Sequence, residues 1–285
     1  MKIGFIGVGV MGKSMARNLK KGGHDVEIYT RTKAKVLDLI DEGFAWHDTI
    51  ASCVADKDAV ISMVGYPKDV EQIYFGDSGI IANARKGACL IDMTTTSPKL
   101  SIAIYNEAKN RGLDALDAPV SGGDVGAQKG TLSIMVGGEE KVFEQYKPVF
   151  ACMGTNILYE GKAGSGQHTK MANQIAIAGT ISGVAEAVIY AKKMGLDVQT
   201  TLDSISAGAA GSWQMSNLGP KMMRGDFAPG FFIKHFIKDM NIALDEADTI
   251  GLPLEVLKCV RDHFQQISEE HNNDGTQAII SYYDK

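Results

Sequence analysis

The pattern of hydrophobic and polar positions changes at about residue 160. Before that point, short apolar runs typical of buried strands alternate with stretches in which apolar residues recur every three or four positions. This alternation predicts an α/β fold with a parallel sheet and crossover helices. Strands are predicted at Lys2–Ile6, Val26–Thr30, Ala59–Val64, Ala88–Asp92, Leu113–Ala118, Leu132–Gly137 and Asn156–Tyr159, and helices at Lys13–Lys21, Lys33–Glu42, Pro67–Tyr74, Lys99–Arg111 and Glu139–Ala151.

One long helix is predicted over about residues 164–194. The stretch lies between Gly164 and Gly195 and contains no proline. Ala, Gly, Ile and Val dominate its middle, which predicts burial on most sides and a position between two domains. A transmembrane segment is the alternative, since the apolar part reaches the ~20 residues that a bilayer requires. Asn173, Gln174 and Glu186 argue against it, because polar groups are costly in lipid.

The remainder of the chain has helical patterns and no strand pattern. Helices are predicted at Leu196–Ser206, Met215–Arg224, Ile233–Thr249 and Leu254–Glu269. In the helix predicted at Ile233–Thr249, Lys238 and Asp239 lie outside the apolar stripe, so the pattern alone predicts that Lys238 is solvated. We therefore predict two domains, an α/β domain over residues 1–162 and an all-helical domain over residues 163–285 that begins with the long interdomain helix.

A glycine motif follows the first strand directly. Gly7, Gly9 and Gly12 form GxGxxG between a strand and a helix, the context that marks a dinucleotide-binding turn of a Rossmann-type doubly wound fold. The phosphates are expected at the helix N-terminus, where backbone N–H groups and the helix dipole favour anions. Val10 and Met11, inside the motif, are therefore expected beside the cofactor.

Basic and hydroxyl residues follow the second strand, where folds that bind NAD usually carry an acid. Arg31, Thr32 and Lys35 occupy this region. An acid would repel a 2′-phosphate, whereas Arg31 can bind it with two hydrogen bonds. We therefore predict a preference for NADP over NAD.

Further site residues are expected at the carboxyl ends of later strands, where ligands of such sheets collect. Met63, Val64 and Gly65 and then Thr94 and Thr95 are predicted to line the cofactor. A third strand end brings Ser121, Gly122 and Gly123, a hydroxyl and small residues suited to binding a carboxylate.

The first turns of the long helix carry a second set of polar residues. Lys170, Asn173 and Gln174 lie at i, i+3 and i+4 and therefore share one face. His168 is a rival base because histidine titrates near neutrality, but two residues before Lys170 it faces away.

Composition limits the class of protein. The 285 residues, 45% of them hydrophobic, suffice for two cores, and the net charge of −5 provides no basic surface for nucleic acid. The four cysteines are scattered without a CxxC and indicate reduced thiols in a cytoplasmic protein. The glycine-broken N-terminal run is not typical of an export signal, and no His or Cys spacing indicates a metal site.

Together the motifs resemble the β-hydroxyacid dehydrogenase family, which includes 3-hydroxyisobutyrate dehydrogenase, tartronate semialdehyde reductase and the glyoxylate/succinic semialdehyde reductases. The resemblance covers essentially the whole chain. It depends on GFIGVGVMG, DMTTTSP, DAPVSGG with the following GAQKGTL, Lys170-Met-Ala-Asn173, and FIKD near the C-terminus. The related imine reductases lack the lysine, so Lys170 argues against them.

The resemblance implies roles for individual residues. Lys170 would be the catalytic lysine, Ser121, Gly122 and Gly123 with Asn173 would bind the substrate carboxylate, and Lys238 would lie near the nicotinamide. Gln174 is predicted to bind the substrate because it shares the helix face of Lys170 and Asn173. The implied reaction is hydride transfer between the nicotinamide and a small 3-hydroxy acid or its semialdehyde, with Lys170 as general acid and base. The resemblance also implies a homodimer or homotetramer.

Two other functions stay open. A redox-silent NADP-binding regulator or scaffold would not require the lysine. A 6-phosphogluconate-type dehydrogenase would require cationic groups for a substrate phosphate and a longer C-terminal domain. The residues do not identify which 3-hydroxy acid or semialdehyde is the substrate.

Overall fold

The computed structural model describes residues 1–284 and contains one sheet of nine strands. The strands are β1 Lys2–Ile6, β2 Asp25–Tyr29, β3 Ala45–Trp46, β4 Ala59–Ser62, β5 Cys89–Asp92, β6 Asp114–Asp117, β7 Val120–Ser121, β8 Leu132–Gly137 and β9 Gly154–Gly161. Their order begins β3-β2-β1-β4-β5-β6, all parallel. β6 and β7 then pair antiparallel with β8, and β9 pairs parallel with β8.

This order confirms the doubly wound, Rossmann-type sheet. The strand order reverses between β1 and β4, and ligands of such folds bind at that reversal, beyond the carboxyl ends of the strands. Successive residues of a strand enter different cores: Ala59 and Ile61 pack in one cluster, whereas Val60 packs in another. Burial on both faces explains why these strands are continuously apolar instead of alternating.

Helices connect the strands of the sheet. They are α1 Val10–Lys21, α2 Leu37–Asp41, α3 Ile50–Val54, α4 Pro67–Tyr74, α5 Ile80–Asn83, α6 Pro98–Asn110, α7 Gly123–Lys129 and α8 Glu140–Phe150, with a 3₁₀ helix at Lys33–Val36. Start signals are visible in the sequence. Thr49 and Ser97 cap α3 and α6 through their side-chain oxygens, and proline opens α4 and α6.

The long helix α9 spans Ser165–Lys193 and is present as predicted. Most of its circumference is buried or half-buried, but Ala172, Ala176, Gly183 and Tyr190 are exposed. They recur along one side, which also carries the exposed His168 and Glu186, so a stripe made mainly of small residues faces outwards in the single chain. By length and composition α9 could cross a membrane, a test that the core helix of a soluble protein also passes.

The chain after α9 is helical. Its helices are α10 Val198–Ser206, α11 Trp213–Asn217, α12 Gly219–Arg224, α13 Ile233–Thr249, α14 Glu255–His271 and α15 Ile280–Tyr283, with a 3₁₀ helix at Thr276–Ile279. A single apolar cluster forms their core, with Phe236 and Phe264 fully buried at its centre.

Several short elements differ from the prediction. The single helix predicted over 215–224 is two helices, α11 and α12, because Pro220 lies in the first turn of a new helix, where its missing N–H costs nothing. The helix predicted from Leu196 begins at Val198, where the Asp197 carboxylate accepts a hydrogen bond from the Thr200 N–H. The strands β3 and β7 and the helices α3, α5 and α7 were not predicted.

The chain forms two compact units, residues 1–170 and the chain from residue 171, so the division lies inside α9. The sequence places the domain boundary at residue 162, before the helix. We propose to keep that boundary, because Gly161 and Gly164 both have positive φ and the helix begins just after them.

Candidate active site

The glycine turn between β1 and α1 has three glycines with different physical roles. Gly7 has φ of 95°, and a Cβ there would lie 2.3 Å from the Met63 carbonyl oxygen. A Cβ on Gly12 would lie 2.2 Å from the Gly7 carbonyl oxygen. Both glycines are therefore required by packing. A Cβ on Gly9 would meet nothing within 4 Å, so this glycine keeps space open beside the turn.

The start of α1 is free to receive an anion. Its first turn has no acidic residue, and no side chain caps it. Val10 is 63% exposed although it is apolar, whereas Met11 packs against the core. An exposed Val10 beside an open Gly9 indicates a surface that a ligand covers.

Arg31, Thr32 and Lys35 are exposed on the loop after β2. The Arg31 guanidinium lies 3.4 Å from the carboxylate of Asp69, near the start of α4. Lys33, between them, lies over the Trp46 ring at 4.6 Å from its centroid. The loop thus presents cationic and hydroxyl groups together, but Arg31 has an acidic neighbour that the sequence did not reveal.

The loops after β4 and β5 are joined by a hydrogen bond. The Val64 N–H donates to the Thr94 hydroxyl at 2.9 Å, and Thr94 is buried. Below them lies Asp92, whose Oδ1 accepts from the Ser62 hydroxyl at 2.8 Å and from the Thr94 N–H at 3.1 Å. Burial raises the pKa of Asp92 to about 6. Met63 and Gly65 flank Val64 and are half-buried, as is Thr95.

The Ser-Gly-Gly sequence follows β6 through a short antiparallel strand. Ser121 ends β7 and is half-buried. Gly122 and Gly123 have φ of 127° and 64°, two consecutive positive values that only glycine adopts without strain. The chain therefore turns sharply here and presents backbone groups without side chains in the way.

The first turn of α9 is anchored by Asp117 at the end of β6. Its Oδ1 accepts from the Gly164 N–H at 2.7 Å and its Oδ2 from the Gln167 N–H at 2.9 Å. Burial raises the pKa of Asp117 despite these hydrogen bonds to its charged form. Lys170, one turn further on, is 6% exposed, whereas His168 is exposed. The two rival bases thus lie in different environments on one helix.

Four polar residues in the second unit form a continuous chain. The Asn173 amide donates to Gln174 Oε1 at 2.7 Å, and the Gln174 amide donates to Asp239 Oδ2 at 2.6 Å. The Lys238 ammonium lies 2.9 Å from Asp239 Oδ1. Gln174 and Asp239 are each 1% exposed. The carboxylate therefore compensates the charge of Lys238 and orients the two amides.

Sequence reasoning assigned no role to two of these residues, Asp117 and Gln167. Asp117 is the first residue of the DAPVSGG motif, and Gln167 lies three residues before Lys170. Asp239 lies off the apolar stripe of α13, yet it is buried and pairs with Lys238. The adjacent opposite charges of Lys238 and Asp239 were the available signal for this pair.

No group of three or more His, Cys, Asp or Glu residues that could hold a metal ion occurs in residues 1–284. The same part of the chain contains Cys53, Cys89, Cys152 and Cys259 as free thiols.

Comparison with known proteins assigns both halves of the chain. Residues 2–161 match the NAD binding domain of 6-phosphogluconate dehydrogenase, and residues 164–283 match the NAD-binding domain of NADP-dependent 3-hydroxyisobutyrate dehydrogenase. A 2-hydroxy-3-oxopropionate reductase of Escherichia coli is 40% identical over 255 residues, 89% of this chain and 87% of that protein. The chain belongs to the β-hydroxyacid dehydrogenase family.

Two further relatives extend this family relationship. An uncharacterized oxidoreductase of Bacillus subtilis is 54% identical over 99% of both chains. A solved structure of a Mycobacterium tuberculosis 3-hydroxyisobutyrate dehydrogenase with L-serine matches with a TM-score of 0.92, at 30% identity over 100% of this chain and 99% of that one. The chain is therefore an oxidoreductase of the 3-hydroxyisobutyrate dehydrogenase type.

The glycine turn after β1 has the space and the N–H donors to hold the pyrophosphate of the nicotinamide cofactor that this family uses. Gly9 leaves open the space that a Cβ would fill, and the uncapped start of α1 provides N–H donors for a pyrophosphate. Gly7 and Gly12 bring strand and helix close enough for this turn to form.

Proposed function

We propose that this β-hydroxyacid dehydrogenase interconverts a small 3-hydroxy acid and its semialdehyde, prefers NADP(H) to NAD(H), and uses Lys170 as general acid and base. The observation that carries the proposal is the burial of the Lys170 ammonium-bearing side chain in the first turns of α9, 6% exposed. A lysine is seldom buried unless a functional or structural requirement keeps it there.

In the proposed mechanism the cofactor supplies or accepts a hydride. The residues Gly7, Gly9, Val10, Met11 and Gly12 hold its pyrophosphate, and Arg31, Thr32 and Lys35 hold the 2′-phosphate. The loops with Met63, Val64, Gly65, Thr94 and Thr95 line the cofactor, and Lys238 contributes its charge near the nicotinamide.

The substrate is held by its carboxylate. Ser121, Gly122 and Gly123 donate a hydroxyl and backbone N–H groups to it, and Asn173 and Gln174 add amide donors. In the reducing direction Lys170 Nζ gives a proton to the carbonyl oxygen as that oxygen gains charge, and in oxidation neutral Lys170 takes a proton from the hydroxyl. Asp239 keeps the Gln174 amide oriented.

The substrate class is proposed from the relatives and from the site. Candidate substrates are 2-hydroxy-3-oxopropionate, 3-hydroxyisobutyrate, succinic semialdehyde and glyoxylate. We also propose a homo-oligomer in the cytoplasm, where free thiols stay reduced. A redox-silent NADP-binding regulator or scaffold, and a 6-phosphogluconate-type dehydrogenase, are the alternatives that the assays below separate from this proposal.

The first test is a steady-state assay with NADPH and NADH against the three aldehydes among these candidates, repeated in reverse with 3-hydroxyisobutyrate, the other hydroxy acids and 6-phosphogluconate. We expect turnover with at least one small aldehyde acid and a lower KM for NADPH. Cofactor binding without turnover of any compound would favour the regulator, and turnover of 6-phosphogluconate alone would contradict the proposal.

Replacement of the lysine tests the mechanism. We expect Lys170→Ala to lower kcat by a factor of about 10² to 10⁴, the usual contribution of general acid–base catalysis, with the Kd of NADPH unchanged. His168→Ala is the matched control, because it removes the exposed rival base two residues away and is expected to keep full activity. If His168→Ala abolished turnover and Lys170→Ala did not, the assignment of the base would be wrong.

A further inference from the structure

Gln167 joins the start of α9 to the loop that follows β5. Its side chain is fully buried, and its amide makes two hydrogen bonds with that loop. Nε2 donates to the Thr94 carbonyl oxygen at 2.8 Å, and Oε1 accepts from the Thr96 N–H at 3.1 Å. The amide therefore pairs with the loop backbone much as a neighbouring strand would.

The loop that Gln167 holds is fixed from two other sides. The Thr94 N–H donates to Asp92 Oδ1 at 3.1 Å, and the Thr94 hydroxyl accepts from the Val64 N–H at 2.9 Å. With the carbonyl oxygen bound to Gln167, Thr94 has its backbone and its side chain engaged. The loop can therefore move only if one of these hydrogen bonds breaks, and the bond to Gln167 is the one that ties it to α9.

The backbone of Gln167 is fixed as well. Its N–H donates to Asp117 Oδ2 at 2.9 Å, and the helix approaches β8 closely beside it. A Cβ on the neighbouring Gly166 would lie 2.4 Å from the Met135 carbonyl oxygen and 2.8 Å from that of Asp117. The turn that carries Gln167 thus cannot slide relative to the ends of β6 and β8.

We propose that Gln167 is a positioning residue for the reaction, which rests on the function proposed above. Residues at i and i+3 of a helix are neighbours, so Gln167 and Lys170 lie on adjoining parts of one turn. The two amide hydrogen bonds fix the Thr94–Thr96 loop, proposed to line the cofactor, relative to the turn that carries Lys170. The distance between Lys170, the proposed proton donor, and the Thr94–Thr96 loop is thereby held constant.

The expected cost of losing this contact is large. Without the amide, the Thr94 carbonyl oxygen and the Thr96 N–H are left buried and unpaired, which favours rearrangement of the loop. A misplacement of about 1 Å at reacting groups costs on the order of 10² in rate. The effect should fall on kcat, because the fully buried Gln167 side chain offers no exposed surface for a ligand to contact.

Gln167→Met tests the proposal, since methionine has a similar volume and cannot make either hydrogen bond. We expect kcat to fall by a factor of about 10 to 100, with the Kd of NADPH and the substrate KM changed less than about threefold. Gln277→Met is the matched control. Gln277 is also buried, and its amide donates to the Asp226 and Ala228 carbonyl oxygens of the helical unit at 2.9 and 3.0 Å.

A second variant, Gln167→Glu, is expected to make kcat depend on pH, which a general loss of stability would not do. A protonated glutamic acid can donate to the Thr94 carbonyl oxygen and accept from the Thr96 N–H as glutamine does, whereas the carboxylate repels the carbonyl oxygen. We expect kcat of Gln167→Glu relative to the wild type to rise as the pH is lowered. A ratio independent of pH would overturn the proposal.

The remaining outcomes separate the two proposals. If Gln167→Met kept wild-type kcat, or if Gln277→Met lost as much, Gln167 would not be a positioning residue. That result beside an inactive Lys170→Ala would leave the proposed function standing. If Lys170→Ala itself kept full turnover, the catalytic role proposed for Lys170 would be wrong, and the proposed positioning of Lys170 by Gln167 would fail with it.

Discussion

At the scale of single residues, Arg31 illustrates how a neighbour modifies a role read from sequence. The sequence predicts a guanidinium ready for a 2′-phosphate, and the structure adds the Asp69 carboxylate 3.4 Å away. Because Arg31 is largely exposed, this ion pair contributes little to stability. Its effect is on binding, since Asp69 competes with a phosphate for the same donors.

We expect Arg31→Ala to raise the KM for NADPH by a factor of about 10 or more, the value of a lost charge-assisted hydrogen bond, and to leave the KM for NADH nearly unchanged. Asp69→Asn should lower the KM for NADPH. Steady-state kinetics with both cofactors measure these effects. Arg111→Ala is the control, because it removes an exposed arginine just before β6, at the opposite end of the sheet. Equal effects on NADPH and NADH would contradict the role of Arg31.

Asp92 makes stability depend on pH. Burial raises its pKa to about 6, whereas its ordinary value is 3.8. Between these values the folded protein binds more protons than the unfolded chain, so this group lowers the free energy of unfolding as the pH rises. The decrease in the free energy of unfolding is complete above the pKa of Asp92 in the folded protein and absent below its pKa in the unfolded chain.

Asp92→Asn removes this dependence and can keep the hydrogen bonds that Oδ1 accepts. We expect the difference in the free energy of unfolding, variant minus wild type, to increase by about 2 kcal/mol between pH 4 and pH 7. Urea unfolding at both pH values, without cofactor, measures it. A difference that did not change with pH would show that Asp92 does not titrate in this range.

At the scale of elements, the turn between β1 and α1 contains one glycine that packing requires and another that is expected to serve cofactor binding. Gly12→Ala brings a Cβ within 2.2 Å of the Gly7 carbonyl oxygen, whereas Gly9→Ala meets nothing within 4 Å. We expect Gly12→Ala to lower the Tm. Gly9→Ala should keep the Tm and raise the Kd of NADPH by a factor of about 10 or more, because the methyl group occupies the pyrophosphate space.

Thermal unfolding without cofactor and a fluorescence titration with NADPH distinguish the two glycines. Each variant is the control for the other, since both add one methyl group to the same turn. Normal NADPH affinity in Gly9→Ala would place the pyrophosphate elsewhere.

At the scale of the whole molecule, the outward stripe of α9 bears on assembly. Ala172, Ala176, Gly183 and Tyr190 are exposed, and Tyr190 is 65% exposed. Two of the four have no side chain beyond a methyl group, and Gly183 has none, so another helix can approach closely. Glycine inside an exposed helix costs about 1 kcal/mol relative to alanine, so a packing reason is expected.

We expect the protein to be a homodimer or homotetramer and Gly183→Arg to shift it towards the monomer, because the substitution puts a charged side chain into the contact. Light scattering coupled to gel filtration measures the mass. Lys193→Ala, at the exposed end of α9, is the control and should not change the mass. A monomeric wild type would refute this prediction.

The sequence by itself determined what depends on neighbours along the chain. Hydrophobic period, proline, glycine and capping side chains act locally, and they predicted the sheet strands of four residues or more, the long helix and the glycine turn. The strands β3 and β7 have two residues each, too short for any period. The helix α7 contains two glycines, which weaken the local signal.

Only the tertiary structure decided which polar side chains meet. Gln167 and Thr94, and Gln174 and Asp239, are 73 and 65 residues apart in the chain, and no periodicity encodes such pairs. Residue types at strand ends and helix starts selected Lys170, Ser121 and Arg31 as candidates. Their environments followed from packing, because burial and a hydrogen-bond partner are properties of the folded chain and not of a residue's neighbours in sequence.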